Sequence, residues 1–363
     1  MTRHPVPAPL AVVRDDETTP AGVRRLLGDG SLDLPLPGRG RTQERLDRLR
    51  RLGHDDLVLA RLAEAHTDAI AILADLGAES EAALATPLDA GRHLWGVWAA
   101  DPPLSRLRAE QRAGGWRLSG PKPWCSGAAT CDRALVTAHA PDGYRLFAVD
   151  TRHPGLSVRP SGWEGPGMAG SGTRDVDLDD VPGTAVGGPG AYLERPGFWW
   201  GGAGVAAVWL GGAERVAGAL QRSAARHGAD LVLASLGRVD AAQHAARCTL
   251  AEVARLADAG ADADVARLAA ARARAAVETA VEVSLAQTGR ATGPGPLATD
   301  AAHARHVADL QVYVRQSHGD RDLAVLGGLV VAGPVDTGPV DTGPVDTGPV
   351  DTGPVDTGTG ADV

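Results

Sequence analysis

The sequence is poor in cysteine, in aromatic residues other than tryptophan, and in lysine. Its three cysteines are Cys125, Cys131 and Cys248, and no C-x-x-C pair occurs. Neither a disulfide framework nor a metal site is therefore predicted. Two Phe and three Tyr stand against eight Trp, and Lys122 is the single lysine. Arginine consequently supplies nearly all of the positive charge.

Long apolar runs are also missing. The sequence contains no run of about 18 apolar residues, the length that a bilayer-spanning helix requires. The first twenty residues have no apolar stretch followed by a small-residue cleavage site, so no signal peptide is predicted. We therefore expect a cytoplasmic protein without a membrane span.

The net charge of −9 is unevenly distributed. The tail from Val331 contains six Asp and no basic residue, so the body of the chain carries −3 (−9 without the −6 of the tail). A nearly neutral body without a basic stripe argues against nucleic acid as a partner. The tail repeats GPVDT five times from Gly333 to Thr357. We expect it to be disordered, because proline at every fifth position prevents a regular helix.

The order of predicted elements indicates an α+β fold. After a loosely ordered stretch over residues 1–20, apolar residues at three- and four-residue spacing predict an N-terminal helical domain over 21–90. Short runs rich in Val, Leu, Trp and Thr predict a central antiparallel β-barrel or sandwich domain over 91–188. Long Ala-Leu-Val segments predict a C-terminal four-helix bundle over 189–330, followed by the disordered repeat tail over 331–363.

The first helix of the predicted bundle is rich in glycine. It contains Gly201, Gly202, Gly204, Gly211 and Gly212. Each glycine costs a helix about 1 kcal/mol relative to alanine. Several together therefore predict the close approach of another helix or of a ligand, and helix packing is the favoured interpretation.

Residues 115–138 contain the most informative local pattern. Two runs with strand character, Trp116–Ser119 and Arg133–Ala138, enclose a turn-rich segment that carries Lys122, Trp124, Cys125, Ser126 and Gly127. A tryptophan and a hydroxyl held between strands suit the wall of a site for a flat ligand. The same pattern suits an ordinary hairpin whose Trp124 packs into the core, and the residues alone favour the hairpin.

Three segments, in order, resemble those of acyl-CoA dehydrogenase family flavoproteins. The first is GWRLSGPKPWCS, residues 115–126, which carries the family's glycines, lysine, tryptophan and small hydroxyl residue. The second, residues 163–182, looks like the family's G-M-x-x-S-x-T motif followed by a strand and Val-Pro. The third, residues 304–316, is similar to the last-helix segment of the family's hydroxylase-like relatives. The resemblance covers about residues 21–328 and indicates a divergent member.

The resemblance implies a bound FAD. In the family the tryptophan lies against the flavin ring and the hydroxyl residue bonds near its reactive edge, which implies these roles for Trp124 and Ser126. Cys125, Asp101 and Gln316 are further candidate cofactor-binding residues. The resemblance also implies a small-molecule substrate of the acyl thioester class. It implies a homo-oligomer, a dimer or tetramer, because the family's bundle packs against copies of itself.

The catalytic base is not where the resemblance places it. No glutamate follows Tyr313, and Ala100 stands where the family has a hydroxyl residue that bonds the flavin. The candidates for the base are Glu194, His318 and Asp320. The favoured function is oxidation of an acyl thioester, by α-proton abstraction and β-hydride transfer to FAD.

Two other functions stay open at this stage. The first is a flavin-dependent monooxygenase on the same fold, favoured by the Arg305–Leu310 segment and by His318 as a proton-transfer group. The second is a non-catalytic flavin- or acyl-binding subunit that has lost the base.

Overall fold

The computed structural model of this protein describes residues 19–77, 93–102 and 106–332. Almost all of the predicted loose N-terminal stretch and of the repeat tail lie outside these ranges. Within them, no helix is at once long enough and apolar enough to cross a membrane.

Three helices begin the fold. They are α1 (Thr19–Gly28), α2 (Thr42–Asp55) and α3 (Leu57–Leu76). Asp56 separates the last two and caps α3, because its carboxylate accepts hydrogen bonds from the N–H groups of Val58 and Leu59 at 2.8 and 2.9 Å. Most residues of α3 are buried, so this helix lies inside the protein.

Seven strands follow in the described part of the chain, and they form one sheet. They are β1 (Trp95–Trp98), β2 (Arg108–Arg112), β3 (Gly115–Cys125), β4 (Arg133–Ala140), β5 (Gly143–Asp150), β6 (Leu156–Val158) and β7 (Arg174–Val186). Hydrogen-bonded neighbours run β4–β2–β3–β7–β5 and return to β4, so five strands close a barrel. β1 pairs with β4 in parallel and β6 pairs with β7. The predicted β domain is confirmed as a mainly antiparallel barrel.

The predicted hairpin between Trp116–Ser119 and Arg133–Ala138 is wrong. β3 continues to Cys125 and pairs with β2 and β7, whereas β4 pairs with β5. The register between β3 and β7 shifts twice; Pro123 lies within the second shift, between Lys122 and Cys125, whereas Pro121 pairs with Asp177. β2 was not predicted, because its sequence RAEQR buries only one side chain.

The remaining elements are helical. They are α4 (Ala191–Glu194), α5 (Pro196–His227), α6 (Asp230–Asp258), α7 (Ala263–Thr292), α8 (Gly295–Thr299), α9 (Ala301–Tyr313) and α10 (Asp320–Ala332). The predicted four-helix arrangement is confirmed, but its last helix is divided into α9 and α10. A 3-10 turn over Val314–Gln316 and Gly319, with φ of 56°, separate the two.

The glycines of α5 let other helices approach closely, as the first of the two interpretations predicts. A Cβ atom added to Gly211 would overlap the carbonyl oxygen of Arg50, and one added to Gly53 would overlap that of Val208. The backbones of α2 and α5 are therefore in direct contact at this crossing. The largest hydrophobic core lies around α5, with Trp209 fully buried in it.

Candidate functional site

Trp124 lies on a bulge at the end of β3. Its φ of 61° is unusual for a residue other than glycine, and it turns the side chain outward, where it is 61% exposed. The Trp124 N–H donates to Asp175 Oδ1 at 3.1 Å, which fixes the bulge against β7. The Trp124 ring meets the Trp163 ring edge-on, with centroids 6.1 Å apart. These two tryptophans form an aromatic wall, in which Trp124 is exposed and Trp163 is half-buried against the core.

Three hydroxyl groups follow the aromatic wall in the sequence and bond to one another. Ser126 Oγ lies 3.1 Å from Thr173 Oγ1, which in turn lies 2.7 Å from Ser171 Oγ. The N–H of Gly127 donates to the carbonyl of Ser171 at 2.9 Å and joins the two segments. This hydroxyl chain (Ser126, Thr173 and Ser171) unites the first two segments of the family resemblance. Hydroxyls can donate or accept, so the chain suits the edge of a flavin ring.

Cys125 lies between Trp124 and Ser126 but is fully buried. Its thiol donates to the carbonyl of Lys122 at 3.3 Å, and burial raises the pKa of the thiol. The Cys125 side chain therefore points into the barrel, and its predicted role in cofactor binding would have to come from its backbone.

Lys122 is also inside the barrel. Its Nζ donates to the carbonyl and to the hydroxyl of Thr137, both at 2.8 Å, and only 1% of the residue is exposed. Burial lowers the pKa of Lys122 to about 8. The lysine of the family motif therefore holds β3 to β4 from within.

A pH effect on stability follows from Lys122. Between pH 8 and about 10.4 the unfolded chain binds a proton at this lysine that the folded chain does not, so the Lys122 contribution to stability rises with pH. We compare the wild type with Lys122→Met at pH 7.5 and at pH 10. The unfolding free energy of the wild type, relative to that of the variant, is expected to be about 2 kcal/mol higher at pH 10 than at pH 7.5. Urea unfolding of both proteins at the two pH values measures the difference, in which other titrating groups cancel. A constant difference would contradict the lowered pKa.

Asp101 and Gln316, the other predicted cofactor-binding residues, have contacts of their own. An Asp101 carboxylate oxygen lies 2.8 Å from Nε2 of His139 on β4. Gln316 is exposed, and its backbone carbonyl oxygen accepts a hydrogen bond from Arg274 Nη2 at 3.5 Å. No hydrogen bond or ion pair of the described residues links Asp101 or Gln316 to the aromatic wall. Their role in cofactor binding therefore stays a prediction.

The three predicted bases are all exposed. Glu194 ends α4, and Asp320 begins α10. His318 Nδ1 lies 3.3 Å from Asp322 Oδ1 within one turn of the chain. A base that works at a carbon acid is usually removed from water, and these three side chains are not.

The Arg305–Leu310 segment positions α9 against the hydroxyl chain. Asp309 Oδ1 accepts from the N–H of Met168 at 2.6 Å, and Arg305 donates to the capping Asp56 at 2.9 Å. His306 is buried, and burial lowers its pKa to about 3, so its imidazole is neutral. The segment therefore fixes the loop before Ser171 and the start of α3.

Five ionisable side chains that the sequence did not predict as a site come together inside the protein. We name them the interior cluster: Arg61, Glu64, Asp68, Tyr313 and Arg274. Arg61 Nη1 donates to Glu64 Oε2 at 2.9 Å. Burial raises the pKa of Glu64 to about 7, although Arg61 opposes the shift. Burial also raises the pKa of Tyr313, with Glu64 adding to the effect and Arg61 opposing it. The cluster therefore holds a carboxyl group that titrates near neutrality.

Helix α3, which carries Arg61, Glu64 and Asp68, packs against the segment that carries Ser126. A Cβ atom added to Gly127, the residue after Ser126, would lie 3.0 Å from Leu62 of α3. Within the described ranges, Arg61 Nε, Asp68 Oδ1 and the indole Nε1 of Trp209 are buried without a hydrogen-bond partner. Such atoms are rare in native proteins, and several in one region indicate a place where a ligand or water binds.

A sequence signal for the interior cluster existed. Arg61, Glu64 and Asp68 recur at three- and four-residue spacing, so they share one face of α3. Charged residues placed between apolar ones on a helix are typical of a solvated face, so this spacing alone does not single them out. In the described part of the chain, no three His, Cys, Asp or Glu side chains gather in a way that could hold a metal ion.

Comparisons with known proteins bear on the family resemblance and on the fold. Residues 101–181 match the family model described as the acyl-CoA dehydrogenase middle domain. An amino sugar nitrososynthase, RubN8 of Streptomyces rubradiris, is 44% identical over 85 residues, which is 22% of this chain and 19% of that relative. The chain therefore matches about a fifth of the length of this curated relative.

Two solved structures share the whole fold. KijD3, in complex with FMN and dTDP-3-amino-2,3,6-trideoxy-4-keto-3-methyl-D-glucose, superposes with a TM-score of 0.74 at 21% identity, covering 87% of this chain and 88% of that one. Butyryl-CoA dehydrogenase from Megasphaera elsdenii superposes with a TM-score of 0.73 at 18% identity, covering 85% and 89%. The resemblance to the acyl-CoA dehydrogenase family is confirmed, and the chain has the fold of that family.

Proposed function

We propose that this chain, with the acyl-CoA dehydrogenase fold and a matching middle domain, is a flavin-dependent monooxygenase that oxidises an amine. The observation that carries the flavin assignment is the aromatic wall beside the hydroxyl chain. An exposed tryptophan held outward by a positive φ matches a flat apolar ring. The hydroxyl of Ser126 matches the polar edge of that ring.

The cofactor site would be held by few side chains. Trp124 and Trp163 would contact the face of the isoalloxazine ring, and Ser126 would bond its edge. Ala100 offers no hydroxyl, and Asp101 is bonded to His139. A bound flavin, once reduced, supplies the electrons that activate O2. FAD is the cofactor that the sequence predicts, and KijD3 was solved with FMN, so both forms belong in the test.

The bases that the sequence offers for dehydrogenation, Glu194, His318 and Asp320, are all exposed. Glu64 would suit either reaction, so the choice of oxygenation rests on the named relatives. The amine class is supported by RubN8, which is named for amino sugars, and by the amino sugar nucleotide bound to KijD3. An amine can react as a nucleophile only when its nitrogen is unprotonated. Glu64 is the group that would accept the proton of the substrate ammonium.

Oxidation of an acyl thioester is the second candidate. Glu64 also favours it, because a buried carboxyl group with a raised pKa suits removal of a proton next to a carbonyl. The fold shared with butyryl-CoA dehydrogenase is compatible with both reactions. A non-catalytic flavin-binding subunit would bind the cofactor and turn over neither class of substrate.

The two reactions are separable by experiment. Purified protein is mixed with reduced flavin, ¹⁸O₂ and a dTDP-linked amino sugar, and the product mass is measured. Incorporation of the label supports the monooxygenase. Anaerobic bleaching of the oxidised flavin by acyl-CoA compounds, without label in any product, would instead establish the dehydrogenase.

Flavin binding should depend on the aromatic wall. We expect Trp124→Ala to weaken flavin binding at least about tenfold, because the stacking surface is lost. Trp124→Phe should retain most of the affinity, since a ring remains. Flavin fluorescence quenching, titrated with FAD and with FMN, measures both. Equal affinity in wild type and Trp124→Ala would contradict the assignment.

Self-association remains part of the proposal. The described part of α10 carries apolar side chains that are exposed in the single chain: Leu323, Val325, Val330 and Val331. Exposed apolar groups on one helix are typical of contact surfaces. Light scattering of the purified chain tests the predicted dimer or tetramer.

A further inference from the structure

A groove on the side of the barrel is lined by more basic than acidic side chains. Its volume is about 290 Å³, and it is lined by Arg106, Arg108, Ala109, Glu110, His139 and Pro141. We name this the arginine groove. It contains none of the aromatic wall, the hydroxyl chain or the interior cluster.

The arginines of the groove differ from others on the barrel. Arg112, Arg145, Arg152 and Arg159 each contact an aspartate within 3.5 Å. Neither Arg106 nor Arg108 has an ion pair with any residue in the ranges that the structure describes. Two unpaired guanidinium groups therefore face the same cavity, in a chain whose net charge is negative.

The backbone holds these two side chains on one face. Leu107, between them, is fully buried, whereas Arg106 and Arg108 are exposed. Alternate residues of an extended strand lie about 7 Å apart on the same side. This separation suits an anion with two charged centres, because each guanidinium fork binds one phosphate through paired N–H groups.

His139 completes the groove from the neighbouring strand. His139 is in register with Arg108 where β2 pairs with β4. Its backbone N–H donates to the backbone carbonyl of Leu107 at 2.9 Å. Its ring is fixed by Asp101 at 2.8 Å and lies edge-on to Tyr144, with centroids 5.1 Å apart. Glu110 is the acidic side chain of the lining, and it lies 3.3 Å from Arg112. The charge facing the cavity is therefore positive overall.

We propose that the arginine groove binds the diphosphate of a nucleoside-diphosphate-linked substrate. Arg106 and Arg108 each bind one phosphate, and the rim formed by His139 and Pro141 contacts the attached sugar or base. Diphosphate binding by the groove is independent of the proposed function. Only the assignment of that diphosphate to the substrate rests on it. FAD also contains a diphosphate, so the test includes the cofactor.

Calorimetric titration of the full chain at low ionic strength provides the test. The probes are thymidine diphosphate, ADP and, as the uncharged control, thymidine. We expect both diphosphates to bind, thymidine not to bind, and Arg106→Ala/Arg108→Ala to lower diphosphate affinity at least about tenfold. Arg159→Ala is the matched control, since it removes an exposed barrel arginine that is paired with Asp177, and it should leave the affinity unchanged. Thermal unfolding confirms that the variants fold.

Three results would overturn the proposal. The first is no diphosphate binding by the wild type, and the second is equal affinity in the double variant. The third is that the double variant loses a preference for FAD over FMN while still binding thymidine diphosphate, which would assign the groove to the cofactor. A chain that binds thymidine diphosphate through these arginines but binds no flavin would refute the proposed function and leave the groove assignment intact.

Discussion

Replacing Gly211 with alanine is expected to destabilise the protein by about 3 kcal/mol or more. The added methyl group would overlap the carbonyl oxygen of Arg50 and lie 2.7 Å from the backbone nitrogen of His54. These atoms belong to the backbone of α2, so no side-chain rotation relieves the overlap. α2 and α5 would have to separate, and the core around Trp209 would lose contacts along the whole crossing.

Gly218 provides the matched control on the same helix. A Cβ atom at Gly218 would meet only Arg222 Nη1, at 3.4 Å, which is an ordinary contact with the end of a flexible side chain. Gly218→Ala should therefore raise stability, by up to about 1 kcal/mol, through helix propensity. Urea unfolding of both variants gives the comparison. A loss in Gly211→Ala no larger than the change in Gly218→Ala would show that the crossing is not close-packed.

The order of helices, strands and helices could be predicted from the sequence, because hydrophobic residues recur at different spacings in helices and in strands. The long Ala-Leu-Val segments follow that rule. β2 does not, since Ala109 is its single buried residue. The path of β3 also escaped prediction. Its two bulges depend on pairing with β7, some 50 residues further along the chain, and local sequence does not encode such partners.

The candidate site divides in a similar way. Trp124 and Ser126 were predicted through a family motif, and the structure joins them to Trp163 and Thr173. Glu64 was not predicted, because a charged residue among apolar ones on a helix usually faces water. Its burial follows from α3 being enclosed on nearly all sides, which is a property of the whole fold.

Burial of α3 also decides which carboxylate can act as a base. A carboxyl group in water keeps a low pKa and is a weak base, whereas Glu64 titrates near pH 7. Arg61 keeps part of the population ionised, which a proton acceptor requires. Both candidate reactions begin with loss of a substrate proton, either from an ammonium group or from a carbon next to a thioester.

Glu64→Gln is therefore expected to lower the turnover rate about 100-fold near pH 8 while leaving flavin affinity unchanged. The base acts in its ionised form, so the wild-type rate should fall as the pH drops through about 7. This acid limb should be absent from the variant. Steady-state kinetics from pH 6 to 9 measure it. Glu194→Gln is the control, because Glu194 is exposed and should lose less than about twofold. If Glu194→Gln abolishes turnover and Glu64→Gln does not, the base is Glu194, one of the three candidates from the sequence, and the interior cluster serves only to join α3 to α9.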